Sequence, residues 1–154
     1  MAPEPDTCPP VTPGERARAL VSVEVLLRML RHVRDCYPDE DIETVLVYLT
    51  VVCASVGAHV RDPELLASLG KSDLPVQFIR PTSGRAIAES TGLPRETVRR
   101  RIDALVARGW LARDGRGGRS VEGTMHIGRN REFVQAIIQE LNGAPARLAR
   151  FDSL

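Results

Sequence analysis

The residues Ser83–Leu111, with the sequence SGRAIAESTGLPRETVRRRIDALVARGWL, decide the fold of this chain. Ser83 is a good N-cap for a short helix, and Gly92 in the following turn can take the left-handed backbone conformation at no steric cost. Pro94 then opens a second helix, which Gly109 ends. The apolar positions of this second helix lie on one arc of its surface: Val98, Ile102, Leu105 and Val106. Two short helices around a glycine turn predict a helix-turn-helix.

The segment after the second helix has the pattern of a β-hairpin. We predict a strand at Trp110–Arg113, a flexible tip at Asp114–Arg119 and a returning strand at Thr124–Ile127. Arg80–Thr82, which precedes the first helix, would add a short third strand. A helix-turn-helix followed by a basic hairpin is a winged helix-turn-helix, and we place it at residues 79–128.

The charge of the chain is distributed unevenly. The formal net charge is only +1, but Met1–Ile79 holds 7 Lys and Arg against 12 acids, whereas Arg80–Arg119 holds 10 arginines against 4 acids. A concentration of positive charge in forty residues is the electrostatic pattern expected of a phosphate-binding face. Double-stranded DNA is therefore the predicted partner.

A long amphipathic helix is predicted near the N-terminus. Thr12 and Glu15 fit a capping box, with Pro13 at the first helical position, where its missing N–H costs nothing. From Val23 to Tyr37 the apolar residues recur at helical spacing, so the helix has one apolar face.

The next helix begins after Pro38, runs to about Val60 and is apolar on nearly all sides, so both of its faces must be covered. One face carries Ile42, Val45, Leu46, Leu49, Val52, Cys53 and Val56, and the other Val47, Tyr48, Val51 and Ala54. A second copy of the chain would cover one face, although a helix enclosed by its own chain is the alternative. We predict a helical dimerisation platform at residues 14–70, with interface residues Leu26, Leu30, Leu49, Val52, Val56 and Ile137.

The remaining segments flank these regions. Residues 1–13 form a proline-rich tail that we expect to be disordered, and residues 143–154 form a second tail. A closing helix is predicted at residues 130–142, with an apolar stripe of Phe133, Ile137, Ile138 and Leu141. The expected fold is mainly α with a small β-wing, a winged helix-turn-helix core flanked by N-terminal and C-terminal helices.

The residues that would read DNA follow from the helical wheel of the second helix. The face opposite Val98 and Ile102 carries Glu96, Thr97 and Arg100, and Arg95 lies in the first turn. Arginine suits guanine, glutamate can accept from cytosine and threonine can touch a thymine methyl. The base-reading candidates are therefore Arg95, Glu96, Thr97 and Arg100.

Other arginines in the basic segment flank that face or belong to the wing, where they would meet phosphates. The phosphate and wing candidates are Arg85, Arg99, Arg101, Arg113, Arg116 and Arg119. The competing interpretation is that these arginines form ordinary ion pairs on an exposed helix, such as Glu96 with Arg100 and Arg99 with Asp103, which contribute little to stability.

The stretches Ala86–Ile102 and Leu105–Leu111 resemble bacterial winged helix-turn-helix transcription regulators. The Thr91–Pro94 turn is similar to that of the IclR type, whereas the layout of N-terminal helices, winged core and closing helix is closer to the MarR type. The resemblance implies sequence-specific DNA binding by a homodimer. The long link Pro63–Ile79 and the wide wing tip depart from a typical MarR pattern.

Catalysis and metal binding have no support in the sequence. His32, His59 and His126 stand in different elements, and Cys8, Cys36 and Cys53 form no metal-binding spacing. We expect no enzyme activity and no cofactor. We read the chain as cytoplasmic, because it has no apolar run long enough to span a membrane and no secretory signal.

Three further interpretations stay open. A winged helix can serve as a protein-interaction module in a larger complex, and a replication or plasmid-partition factor would bind DNA in the same way. A small-molecule effector would be a further partner if the N-terminal helices left a pocket at their junction with the winged core. Cys36 and Cys53 would make a redox sensor only with more cationic neighbours than the sequence supplies.

Overall fold

The structure, a computed structural model, describes residues 11–57, 61–69, 78–114, 117–120 and 128–152. Within these ranges the elements are α1 (Pro13–Cys36), α2 (Ile42–Val56), α3 (Pro63–Leu69), β1 (Thr82–Ser83), α4 (Gly84–Thr91), α5 (Arg95–Ala107), β2 (Leu111–Asp114), β3 (Gly117–Ser120) and α6 (Gly128–Ala149). The chain divides into two compact units, the winged unit Val33–Glu132 and a helical unit of Met1–His32 with Phe133–Leu154. The fold is mainly α and contains a winged helix-turn-helix, as predicted.

The helix-turn-helix consists of α4, a glycine turn and α5. The Ser83 hydroxyl accepts a hydrogen bond from the Ala86 backbone N–H at 3.2 Å, which caps α4. Gly92 ends α4 in the left-handed conformation, with φ of 72°. Pro94 is the N-cap residue of α5 and lies one position before the first helical residue, Arg95.

Helix α5 ends in a Schellman motif. The N–H of Trp110 donates to the Leu105 carbonyl at 2.9 Å, and the N–H of Gly109 donates to the Val106 carbonyl at 3.0 Å. Gly109 has φ of 72°, the left-handed value this motif requires. The motif turns the chain directly from α5 into β2, so that β2 lies against the helix it follows.

The wing differs from the sequence prediction at its tip. Strands β1, β3 and β2 form an antiparallel sheet in that order, with Thr82 opposite Gly118 and Ala112 opposite Arg119. The strand predicted at Trp110–Arg113 is β2, shifted by one residue. The strand predicted at Arg80–Thr82 overlaps β1 only at Thr82. The prediction of a flexible tip through Arg119 is wrong, because Gly117–Ser120 pairs with strands on both sides. The predicted returning strand Thr124–Ile127 lies outside the described residues.

Helix α2 lies at the centre of the winged unit. It packs against α4, α5, β1 and β3, and its side chains Thr44, Val45, Val47, Tyr48, Val51 and Ser55 are buried. Val47, Tyr48 and Val51, which the sequence places on one face, are all buried. The grouping differs from the structure at two positions: Val45, placed on the opposite face, is also buried, and Ala54, placed with Val47, is exposed. The predicted platform at residues 14–70 grouped α2 with α1, whereas most of α1 belongs to the helical unit.

An aromatic cluster with one buried amide joins the end of α1, α2 and the start of α6. The Tyr37 hydroxyl donates to Asn130 Oδ1 at 2.8 Å, and Asn130 Nδ2 donates to the Tyr48 hydroxyl at 2.8 Å. The Trp110 ring lies 5.4 Å from that of Tyr48 and 6.0 Å from that of Tyr37, measured between ring centroids. Because the buried amide has hydrogen-bond partners on both sides, its burial carries little desolvation cost.

The helical unit consists of most of α1 and α6. The capping box at the start of α1 is confirmed, because the Thr12 N–H donates to Glu15 Oε2 at 2.8 Å and the Glu15 N–H donates to Thr12 Oγ1 at 3.2 Å. Arg18 of α1 forms an ion pair with Asp152 at 3.0 Å. None of the described helices has the length and hydropathy needed to cross a membrane.

Helix α6 is longer than the closing helix predicted at residues 130–142. It continues to Ala149 with Pro145 inside it, so most of the predicted tail 143–154 is helical. Arg147 folds back and donates to the Glu140 carbonyl at 3.2 Å and to its carboxylate at 2.8 Å. Pro145 itself has no N–H to donate to the carbonyl of Leu141, four residues before it.

Candidate nucleic-acid interface

Helix α5 buries one face and exposes the other. Val98, Ile102 and Leu105 are at most 1% exposed and fix the helix against the rest of the winged unit. Of the predicted base-reading residues, Arg95, Glu96 and Arg100 are exposed and Thr97 is half-buried. The helical-wheel argument therefore places the buried arc correctly, and all four residues are at or near the protein surface.

Arg95 and Arg100 are the free cations of α5. Within the part of the chain that the structure describes, neither forms an ion pair, whereas Arg99 and Arg101 of the same helix do. Their guanidinium groups are thus available to an anion or a base edge without first breaking a contact. A free arginine can bind guanine or a phosphate through two parallel hydrogen bonds.

Glu96 has a different partner from the one expected. It pairs with Arg99, whose Nε donates to Glu96 Oε2 at 2.9 Å, and not with Arg100. The hydrogen bond from Arg99 lowers the pKa of Glu96, with the charges of Arg99 and Arg100 acting in the same direction, and the same hydrogen bond raises the pKa of Arg99. The pair is fully ionised at neutral pH, and each carboxylate oxygen of Glu96 accepts a hydrogen bond from Arg99.

Arg101 is held by acidic residues at the start of α2. Its guanidinium contacts Asp41 and reaches Glu43 Oε2 at 3.1 Å, and only 24% of its side chain is exposed. It therefore connects α5 to the start of α2, and its predicted role as a phosphate contact stays a prediction. Arg108 forms a second such connection with Glu40.

Hydrogen bonds lower the pKa of Asp41, the N-cap residue of α2. Burial acts to raise the pKa of Asp41, but the hydrogen bonds from the Thr44 backbone N–H and hydroxyl, together with Arg101, outweigh it and lower the pKa. Asp41 and Glu43 both pair with Arg101, which lies 60 and 58 residues further along the chain, where no local pattern reveals it.

The wing and α4 supply the remaining candidates. Arg113 of β2 is 40% exposed and pairs with Asp103 of α5. Arg85 of α4 pairs with Glu89 at 2.7 Å on an exposed surface. The backbone of Arg119 lies in β3 opposite Ala112, while Arg116 lies outside the described residues.

The described residues contain no group of His, Cys, Asp and Glu side chains that could hold a metal ion. His59 and His126 lie outside them.

Burial raises the pKa of the Cys36 thiol, and the nearby Glu132 and Asp35 raise it further. A thiol with a raised pKa is a poor redox sensor, because the thiolate is the reactive form.

One open groove of about 420 Å³ lies in the winged unit beside α2. It is lined by Leu49, Thr50, Cys53, Ala54, Arg61 and Ser90. The groove is wide open to solvent, whereas a typical small-molecule site is a cleft that buries most of its ligand.

The fold of this region agrees with the comparison to known protein families. Residues 80–115 match the IclR helix-turn-helix domain. The matched span includes β1, α4, α5 and β2, which are the elements that carry Arg95 and Arg100. An IclR-type helix-turn-helix supports DNA binding and a role in transcription regulation. The search of curated proteins and the search of solved structures each found no match.

Proposed function

We propose that this protein is a sequence-specific transcription regulator that binds double-stranded DNA as a homodimer. The observation that carries the proposal is the exposed face of α5, where Arg95 and Arg100 are unpaired within the described chain, inside a segment that matches a helix-turn-helix domain. In this proposal α5 enters the major groove and the β2–β3 wing lies against the backbone or in the minor groove.

Contacts to bases and to phosphates divide between residues in this proposal. Arg95, Arg100, Thr97 and, once released from Arg99, Glu96 read base edges. Arg85, Arg99, Arg113, Arg116 and Arg119 contact the backbone. Phosphate contacts hold the helix in register but carry no sequence information, so loss of a base-reading residue and loss of a backbone residue have different effects.

Apolar side chains on the helical unit support the homodimer. Large hydrophobic residues of α1 and α6 are 43–67% exposed in the single chain: Leu20, Val23, Leu26, Leu27, Leu30, Ile138 and Leu141. Exposed apolar patches of this kind mark interaction surfaces. Pairing two copies through α1 and α6, the MarR-like arrangement, would also place two recognition helices on one DNA duplex and double the number of base pairs read.

The proposal includes a small-molecule effector, to which we assign no chemical class. The groove lined by Leu49, Cys53 and Ser90 is the candidate place for it. Four of its lining residues belong to α2 and Ser90 belongs to α4, so it lies between one of the N-terminal helices and the helix-turn-helix.

Selection of bound DNA tests the proposed function. The full-length chain is incubated with fragmented genomic DNA and, separately, with random duplexes, and retained sequences are determined after several rounds. We expect an enriched, near-palindromic motif and an affinity that falls steeply with salt, because binding releases counterions. Retention of no fragment at low salt would refute DNA binding and favour a protein-interaction module.

A further inference from the structure

Asp103 links the recognition helix to the wing. It lies on α5, and each of its carboxylate oxygens has a different arginine partner: Oδ2 lies 3.4 Å from Arg99 Nη1, and Oδ1 contacts Arg113 of β2. Between 40% and 64% of each of the three side chains is exposed. The carboxylate therefore lies at the protein surface, on the helix that the proposed function places in the major groove.

This link belongs to a larger network of four charges. Glu96 holds Arg99 from the preceding turn of the helix, with Nε at 2.9 Å from Oε2, so that Arg99 lies between two carboxylates. Two arginines and two acids make up the network, and their charges cancel. Arg95 and Arg100 stand outside it and carry the uncompensated charge of the exposed face of α5.

We propose that Asp103 is a specificity-determining residue, which withholds Arg99 and Arg113 from arbitrary DNA backbones. The proposal rests on the proposed function, since it concerns how the same surface selects among DNA sequences. A DNA phosphate that approaches Arg99 or Arg113 must displace the Asp103 carboxylate, whose negative charge repels it. A cognate site offsets this cost through base contacts at Arg95 and Arg100, and a random site does not.

The energies involved allow such a competition. Exposed ion pairs contribute little to stability, so a correctly placed phosphate can replace the carboxylate. The carboxylate nonetheless stays beside the phosphate after displacement, because it is fixed on the helix. The network thus weakens every nearby contact to the DNA backbone. Its effect is largest on a random duplex, where the complex has only backbone contacts and no base contacts.

The test compares the full-length wild type with D103N and E64Q. Asn is isosteric with Asp, and Glu64 in α3 gives a control with the same change of charge outside the helix-turn-helix. Binding to a random duplex and to the selected motif is measured by fluorescence anisotropy between about 50 and 200 mM salt. Far-ultraviolet circular dichroism confirms that each variant is folded.

We expect D103N to bind the random duplex about three- to tenfold more tightly, with a smaller gain on the selected motif, so that the ratio of the two affinities falls. The slope of the logarithm of the binding constant against the logarithm of salt concentration should become more negative by about 0.9 for each phosphate newly neutralised. Adding R113A to D103N should remove part of that gain. E64Q should change neither the ratio nor the slope to this extent.

Several results would overturn the inference. An equal gain in E64Q would show that only net charge matters, and weaker binding by D103N would show that Asp103 aligns the arginines for DNA. If wild type and D103N bind alike, only the role of Asp103 fails. If the wild type binds neither duplex, the proposed function fails and this inference with it.

Discussion

Arg100 and Arg101 are neighbours in the chain, but their side chains lie in different environments. Arg100 is exposed and has no ion pair within the described chain, while Arg101 contacts Asp41 and Glu43 of α2. Successive residues of a helix point about 100° apart, so adjacent arginines can face DNA and the protein respectively. Roles in an arginine-rich helix must therefore be assigned from contacts.

Replacing Arg100 with alanine should relax base preference. A guanine–arginine contact contributes about 1–3 kcal/mol of discrimination at one base pair, and the R100A variant should lose it there. R116A, which changes a residue of the wing sequence, should weaken all duplexes by a similar factor. Motifs selected by the two variants are compared with that of R31A, a control on α1. Uniform weakening by R100A at every site would contradict the assigned roles.

Asp41 should make stability depend on pH. The pKa of Asp41 in the folded protein lies below its ordinary value of 3.8. Its stabilising effect is then fully present above the unfolded pKa and is lost as the pH falls through the folded pKa. D41A should cost about 1 kcal/mol at pH 7, the usual contribution of an N-cap. Below the ordinary value of 3.8 the difference from wild type should shrink.

Urea unfolding of wild type and D41A at neutral and acidic pH measures this effect. D39A is the matched control, because Asp39 is exposed and lies two residues before the cap of α2. A difference between wild type and D41A that is the same at both pH values would contradict the role of the ionised carboxylate.

At the scale of elements, the glycine turn sets the geometry between α4 and α5. A Cβ added at Gly92 would meet no atom within 4 Å, so a larger residue there fits the space but not the backbone conformation. G92A should lower the free energy of unfolding by about 1–2 kcal/mol, the cost of a left-handed residue with a side chain. G92N should lose less, because asparagine tolerates this conformation.

The control for Gly92 is G118A in β3. A Cβ at Gly118 would lie 3.5 Å from Ile102 Cγ2 and 3.6 Å from Leu111 Cδ1, which is ordinary van der Waals contact. Its stability should stay close to that of the wild type in thermal unfolding. If G118A loses as much as G92A, the cost at Gly92 is not conformational.

At the scale of the whole molecule, the proposed dimer depends on the apolar face of α1. Leu26 is 54% exposed and Leu30 is 43% exposed, so glutamate at both positions leaves the fold of the single chain intact. Burying these charges in an interface without partners would be costly. The double variant L26E/L30E should therefore be a folded monomer of 16.9 kDa, while the wild type should have twice that mass.

Multi-angle light scattering measures both masses. V11E is the control, because Val11 is an exposed apolar residue that lies before α1. A wild type that stays monomeric at high concentration and binds a single asymmetric site would contradict the dimer and leave DNA binding intact.

The sequence by itself determined the features that depend on neighbouring residues. The N-cap at Ser83, the capping box of Thr12 and Glu15 and the left-handed Gly92 involve groups only a few residues apart, so their hydrogen bonds and dihedral angles follow from local chemistry. The buried arc of α5 follows from the helical period in the same way. Together these features were sufficient to predict the helix-turn-helix and the face of α5 that is exposed.

Only the tertiary structure decided the contacts between distant segments. The partners of Arg101 lie 58 and 60 residues away, the core of α2 is set by elements that follow it in the chain, and Gly117–Ser120 became a strand because β1 and β2 flank it. Charge and hydropathy patterns report the period of a helix or strand but not what packs against it. The choice between an arginine that is free for DNA and one that holds the fold together is therefore made by the packing of α2 against α5.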